Sequence, residues 1–248
     1  MRERNIVTRT FDRLFVLGRP ASGKSEFLDF MKKISDAERA ERFHIGKMKI
    51  LDDFVWLWEH FEEDDMWEEL IGKRFHSERL EHGYMNSPEI FDLTMKKFNH
   101  LISRDFLDKE DFYKDHTLLI EFARGGEKPY KNALSLLLPE IFQRAAILYI
   151  EVRGEESVRR NNARYKEKLK HSILAHKVPD EVMARYYKED DWKMLTEKRD
   201  DGFLTLKGAK LPFVTMNNEP ESVDPSVLGC RYEAALSHLW GLFSGMRT

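Results

Sequence analysis

Leu14-Phe15-Val16-Leu17-Gly18-Arg19-Pro20-Ala21-Ser22-Gly23-Lys24-Ser25, followed by Glu26-Phe27-Leu28-Asp29-Phe30-Met31, is the stretch that decides the fold. An unbroken apolar run gives way to Gly18 through Ser25, spaced as G-x-x-x-x-G-K-S. Apolar residues then recur at helical spacing as Phe27, Phe30, Met31 and Ile34. A strand, a glycine-rich turn and a helix in that order are the context of a phosphate-binding P-loop, the Walker A motif. Glycines let the backbone close around phosphate oxygens without Cβ clashes, so that N–H groups converge on them. Pro20 has no N–H, which leaves Ala21, Ser22, Gly23, Lys24 and Ser25 to form the cradle behind Gly18. Lys24 is placed to neutralise β- and γ-phosphate oxygens and the Ser25 hydroxyl to ligate Mg²⁺, with the positive end of the helix beneath them.

Working outward, four further short apolar runs read as strands: 47–51, stopping at Asp52-Asp53; 118–120, ending in Glu121; 146–152; and 213–216. Apart from 47–51, where Lys47 and Lys49 intervene, they are nearly continuous, the pattern of strands covered on both faces of a parallel sheet. Helical patterns lie between them. One starts at Ser87-Pro88-Glu89, with Ser as N-cap and Pro at the first turn, and carries Phe91, Met95, Phe98 and Ile102. A single helix is expected over 132–142, another after Pro179-Asp180, and a last one after Asp224-Pro225 with Leu228, Tyr232, Leu236, Leu239 and Phe243 inward. Residues 155–170 are helical but polar on nearly every side, the mark of a helix that spans solvent or moves. Residues 1–11 read as a loose lead-in. The expectation is one three-layer α/β domain over 1–248 with a parallel sheet of about five strands. A helical insertion at 54–110 would face the substrate, and 153–195 would form a mobile basic lid.

Composition excludes several classes. With a formal net charge of -3, nothing asks for nucleic acid or an anionic membrane as partner. The single cysteine, Cys230, rules out an internal disulfide and argues against a cysteine-based metal site, which suits a reducing cytosol. No apolar run approaches the roughly 20 residues that span a bilayer. Met1-Arg2-Glu3-Arg4-Asn5 has no apolar signal region behind it. A cytoplasmic protein is expected, without membrane or nucleic acid, and a homodimer is left open. The acidic run 59–69 reads as a solvated helix face, since ligands for one ion must converge rather than fan out. His171 and His176, five apart, do not share a helix face and are set aside as a metal pair. Trp56, Trp58 and Trp67 read as packing residues.

Ligands of an open parallel sheet bind at the carboxyl ends of its strands. There the sequence places the P-loop, then Asp52 and Asp53, then Glu121 with Arg124-Gly125-Gly126, then Arg153 leading to Arg159, Arg160 and Arg164, then Asn217 and Asn218. Asp52-Asp53 could equally be a helix N-cap pair, and the arginines a solvated face. This order of elements resembles P-loop kinases of small molecules, and among them the nucleoside and nucleotide kinases. The resemblance implies the P-loop NTPase fold and transfer of the γ-phosphate of ATP, with Mg²⁺, to a small-molecule acceptor, most readily a nucleoside or nucleotide. Carried over residue by residue, it implies Lys24 on the phosphates, Ser25 and Glu121 on the metal, and Asp52 or Asp53 as base or substrate ligand. It implies Arg124 near the substrate, Arg160 and Arg164 as lid arginines, and Asn217 and Asn218 near the adenine. The chain departs from that pattern at Glu121-Phe122-Ala123-Arg124, where many such kinases carry Asp. The competing reading is a nucleotide-dependent ATPase or switch with no acceptor. A GTP switch would need Asn-Lys-x-Asp where Met216-Asn217-Asn218-Glu219 stands, without lysine.

Overall fold

The computed structural model describes residues 10–169 and 178–246. The apolar run before the P-loop forms β1 (Arg13–Leu17), buried at every position. Parallel neighbours flank it on both sides: β5 (His116–Phe122) and β6 (Ala145–Glu151). With β2 (Lys47–Asp52), β7 (Asp201–Leu206) and β8 (Ala209–Asn217) they make one sheet in the order β2-β5-β1-β6-β8-β7. The chain leaves β1 toward the β2 side, and β6 and β8 later fill the other side. The carboxyl end of β1 is therefore where the connections diverge, the place where such sheets bind ligands.

Alternate side chains of β1 enter different cores, as continuous apolarity requires. Leu14 and Val16 pack with Phe27, Met31 and Phe43 of α1 (Lys24–Lys33) and α2 (Asp36–Phe43), and with Tyr232, Leu236 and Leu239 of α10 (Pro225–Ser244). Phe15 and Leu17 pack on the opposite face with Met95, Phe98 and Ile102 of α4 (Pro88–Asp105). Leu134 of α5 (Tyr130–Leu136) and Ile141 of α6 (Pro139–Phe142) complete that layer. Truncating a ring such as Phe98 to alanine in a core of this kind costs about 3–5 kcal/mol. The three-layer α/β domain expected from the sequence is therefore present.

Four expectations are corrected. The sheet has six strands, and the sixth, β7, runs antiparallel to β8 through the two-residue turn Lys207-Gly208. Both turn residues have positive φ (48° and 83°), as a tight hairpin turn demands. The single helix expected over 132–142 is two, because Leu137 and Leu138 turn extended ahead of Pro139, whose ring disfavours helix in the residue before it. The insertion is not wholly helical. Between α3 (Asp53–Ile71) and α4 it holds an antiparallel hairpin, β3 (Ser77–Leu80) with β4 (Gly83–Asn86). Nor is the lead-in loose up to residue 11: Phe11 is fully buried against Trp240 and Phe243.

Within the expected lid, α7 (Gly154–Leu169) is polar, whereas α8 (Asp180–Tyr186) is fastened. Val182, Met183 and Tyr186 join Leu57, Ile90 and Phe91 in a third apolar cluster that ties α8 to α3 and α4. A short helix, α9 (Trp192–Leu195), follows. Residues 170–177 of that lid, with His171 and His176, and residues 1–9 lie outside the described residues. Among the described residues no helix is long and apolar enough to cross a membrane.

Candidate active site

The loop from Gly18 to Ser25 joins the end of β1 to the start of α1, with Gly23 as N-cap. Ala21 and Gly23 take positive φ (55° and 110°). A Cβ on Gly18 would stand 2.5 Å from the Ile150 carbonyl oxygen, and one on Gly23 would stand 2.3 Å from Asn218 Nδ2. Both glycines are thus demanded by backbone and side chains pressed against the loop. The Lys24 ammonium is buried and donates to the carbonyls of Gly18 and Arg19 at 3.0 Å each. Ser22 is fully buried, and its hydroxyl has no hydrogen-bond partner. Ser25 is exposed in the first turn of α1.

Carboxylates gather beside this loop. Asp52 ends β2 directly across from Glu121 of β5, and Val16 of β1 faces Glu121 from the other side. Glu121 lies within β5 rather than past its end, and its Oε1 is 4.0 Å from Lys24 Nζ. Burial pushes the Glu121 carboxyl up to about 7; Lys24 opposes the rise, while Asp52 and Asp53 reinforce it. Burial likewise raises Asp52, reinforced by the Asp53 charge, and lowers Lys24 against the pull of Glu121, Asp52 and Asp53. Asp52 also caps α3, its Oδ1 accepting the Phe54 N–H at 2.8 Å. The N-cap reading and the site reading of Asp52 thus meet in one residue.

Asp53 and Arg124 form a pair of a different kind. Arg124 is 1% exposed and donates to Asp53 Oδ2 at 2.6 Å, to Thr94 Oγ1 at 2.8 Å and to the carbonyls of Ala123 and Phe91. Its guanidinium also lies over the rings of Phe91 and Phe122. Burial raises Asp53, and the charge and hydrogen bond of Arg124 oppose that rise. Arg124 is spent on protein, fixing Asp53 at the head of α3. Gly125 and Gly126 allow the close passage of the α8 end: a Cβ on Gly126 would stand 1.9 Å from the Arg185 carbonyl oxygen.

Two of the three arginines of α7, Arg160 and Arg164, part company. Arg160 is buried, donating to Glu156 at 2.7 Å and to the Asn218 carbonyl at 2.8 Å. Arg164 is half-buried, pairs with Glu26 in the first turn of α1, and its charge reaches Lys24. Asn217 is exposed and accepts the Glu219 N–H. Asn218 is buried and holds the loop instead, donating to the Ser22 carbonyl at 2.8 Å. Lys24, Asp52, Asp53, Glu121 and Arg164 are therefore brought to one end of the sheet. Arg124 and Arg160 face into protein.

Sequence reasoning did not single out the residues that brace the loop. Arg19 pairs with Asp190 at 2.8 Å and donates to the carbonyls of Val152 and Tyr187. Asp190 also accepts from the Tyr149 hydroxyl at 2.7 Å, and the Tyr130 hydroxyl accepts the Gly18 N–H at 3.0 Å. No local pattern marks these partners, since each pair is more than 100 residues apart in the chain or joins a strand to a loop. Chemically, Ser25, Asp52 and Glu121 offer oxygen atoms only, and the crowded carboxylates favour added positive charge. That donor set fits a hard cation such as Mg²⁺.

No protein-family model matches the chain, and no curated protein does. Solved structures give distant likenesses. APE1195 is 14% identical with a TM-score of 0.40, over 92% of this chain and 98% of its own. A candidate kinase from Chloroflexus aurantiacus is 11% identical with a TM-score of 0.42, over 91% of this chain and 99% of its own. The Pnkp1/Rnl/Hen1 RNA repair complex contains a chain 13% identical with a TM-score of 0.33, over 76% of this chain and 44% of that one. Likenesses this distant say nothing about the reaction of this chain.

Proposed function

We propose that the chain is an ATP-dependent kinase of the P-loop NTPase fold, transferring the γ-phosphate of ATP to a small-molecule acceptor, with a nucleoside or nucleotide as the acceptor class. The observation that carries the reading is the buried Lys24–Glu121 pair at the mouth of a glycine-rich loop, beside Asp52. Phosphoryl transfer asks for clamped phosphates, an oriented nucleophile and cations on the developing charge. Lys24 and the N–H groups of the loop clamp the phosphates, whose anionic oxygens are better partners for its ammonium than two carbonyls. Asp52, half-buried with one oxygen occupied by its capping bond, orients the acceptor hydroxyl and takes its proton. Asp53, held by Arg124, sets the start of α3 and hence the position of Asp52. Arg164 supplies positive charge from α7. Mg²⁺, held by Ser25 and Glu121, supplies neutralisation of the phosphate oxygens when bound.

The test is transfer from γ-labelled ATP, with Mg²⁺, to pooled nucleosides, nucleoside monophosphates, sugars and other small metabolites. Label on one pool with the wild type, and none with Lys24→Ala, supports the kinase reading and narrows the acceptor. ATP binding with slow hydrolysis and no labelled pool replaces it with an acceptor-free ATPase or switch.

A further inference from the structure

A second cluster of ligand-type side chains lies in the insertion. His60 and Glu63 are one turn apart on α3, and the hydrogen-bonded loop before β3 brings His76 over them. One ligand atom from each of the three lies within 4.8 Å of the other two. The acidic run 59–69 fans out as a helix face must, so convergence comes from a residue outside it. Asp64 enforces that convergence. Its buried carboxylate accepts the N–H groups of Phe75 and His76 at 2.9 Å each and the Ser77 hydroxyl at 2.7 Å. The backbone that carries His76 is thereby clamped to α3.

The geometry points to a transition-metal site, with Zn²⁺ as the ion, ligated by His60, Glu63 and His76 and tying the β3–β4 hairpin to α3. Zinc with nitrogen and carboxylate ligands at about 2.0–2.2 Å in tetrahedral array sets ligand atoms about 3.4 Å apart. His60 Nδ1 and Glu63 Oε2 are 3.4 Å apart. That nitrogen is closed to solvent and makes no hydrogen bond, and the Glu63 carboxylate beside it is placed to share an ion with it. The rings of His60 and His76 lie 4.8 Å apart, so a side-chain rotation of His76 closes the third ligand. Two imidazoles and one carboxylate suit zinc rather than Mg²⁺ or Ca²⁺, which prefer all-oxygen sets. Glu63 is exposed (56%), so a water can fill the fourth position. This site is separate from the one around Lys24, and its occupancy does not depend on the kinase reading.

The test is calorimetric titration of the full chain with Zn²⁺ in excess Mg²⁺, which saturates oxygen-only sites. Wild type is expected to take one Zn²⁺ per chain, and His60→Ala, His76→Ala and Glu63→Gln each to bind at least about tenfold more weakly. Zn²⁺ should raise the melting temperature of the wild type and not that of Glu63→Gln. The last variant alters an exposed side chain, so it remains decisive if His60→Ala fails to fold. Wild type that takes up no Zn²⁺, as a bare His60–Glu63 ion pair would produce, overturns the proposal. So does unchanged binding by Glu63→Gln and His76→Ala.

Discussion

The Glu121 carboxylate lies 4.0 Å from the Lys24 ammonium, and both side chains are more than nine-tenths buried. At an effective dielectric constant of about 20, two such charges attract by roughly 4 kcal/mol. Taking each ion out of water costs several kcal/mol, so attraction does not cover the removal of both. The pair is therefore under tension: burial drives the carboxyl up and the ammonium down. A site of this kind gains by admitting a phosphate near Lys24 or a cation near Glu121.

That tension has a signature in pH. The Glu121 carboxyl rises from 4.5 to about 7 on folding. Between those values the folded protein holds a proton that the unfolded chain has released, so stability falls as pH rises through that window. Glu121→Gln should remove up to about 3 kcal/mol of that fall, leaving a flatter profile. Urea unfolding of both proteins at a series of pH values across the window checks it. Parallel profiles would show that Glu121 is not the group responsible.

Asp53 depends on Arg124 in a way no surface pair does. Arg124→Ala leaves a buried carboxylate without its cation and should cost about 3–5 kcal/mol. Adding Asp53→Asn to that variant should restore part of the loss, since the stranded charge is gone. A double-mutant cycle by denaturant unfolding reads the coupling. Strict additivity of the two substitutions would remove the pairing from the account.

Gly23→Ala should be worse than an ordinary glycine replacement. Its φ of +110° is unfavourable for any L side chain, and the new methyl would stand 2.3 Å from Asn218 Nδ2, which holds the Ser22 carbonyl. A loss of about 1–3 kcal/mol is expected, with weakened nucleotide binding. Gly72, at the end of α3, is the control: its φ is +69°, but nothing lies within 4 Å of the added methyl. Gly72→Ala should cost about 1–2 kcal/mol and leave nucleotide binding unchanged. Thermal melts and ATP titration of the two variants separate strain from loss of the loop.

What could be read in the sequence were the features set by short-range chemistry. The apolar run of β1, the loop from Gly18 to Ser25 and the facing residues Met95, Phe98 and Ile102 each declare themselves within a few turns of chain. The strand ends placed Asp52 and Glu121 side by side because parallel strands share a carboxyl edge. Partner choice was hidden. That Arg124 is used up by Asp53, 71 residues away, and that Gly126 yields room for the Arg185 carbonyl, follow from tertiary packing. The strand β7 is hard to read because only Leu204 of its six residues is buried and its pattern is weak, although the Lys207-Gly208 turn is a usable signal. Convergence of His76 on His60 needs the Asp64 clamp, which spacing along the chain does not reveal.

Arg160 and Arg164 of α7, alike in sequence, should separate by experiment. Arg160 is buried between Glu156 and the Asn218 carbonyl, and Asn218 in turn holds the Ser22 carbonyl. Arg160→Ala therefore removes an anchor and should lower the melting temperature together with activity, the cost lying near 3 kcal/mol for a broken buried pair. Arg164 is half-buried, burial lowers its pKa, and its partner Glu26 lies in the first turn of α1. Arg164→Ala should leave stability within about 0.5–1 kcal/mol of wild type, as exposed pairs do. If Arg164 meets the phosphates from α7, kcat for transfer should still fall by tenfold or more, a loss of about 1.4 kcal/mol of transition-state stabilisation. Melting curves paired with kcat and KM for ATP decide the matter. An Arg164→Ala protein with unaltered kcat and KM would confine α7 to holding the loop.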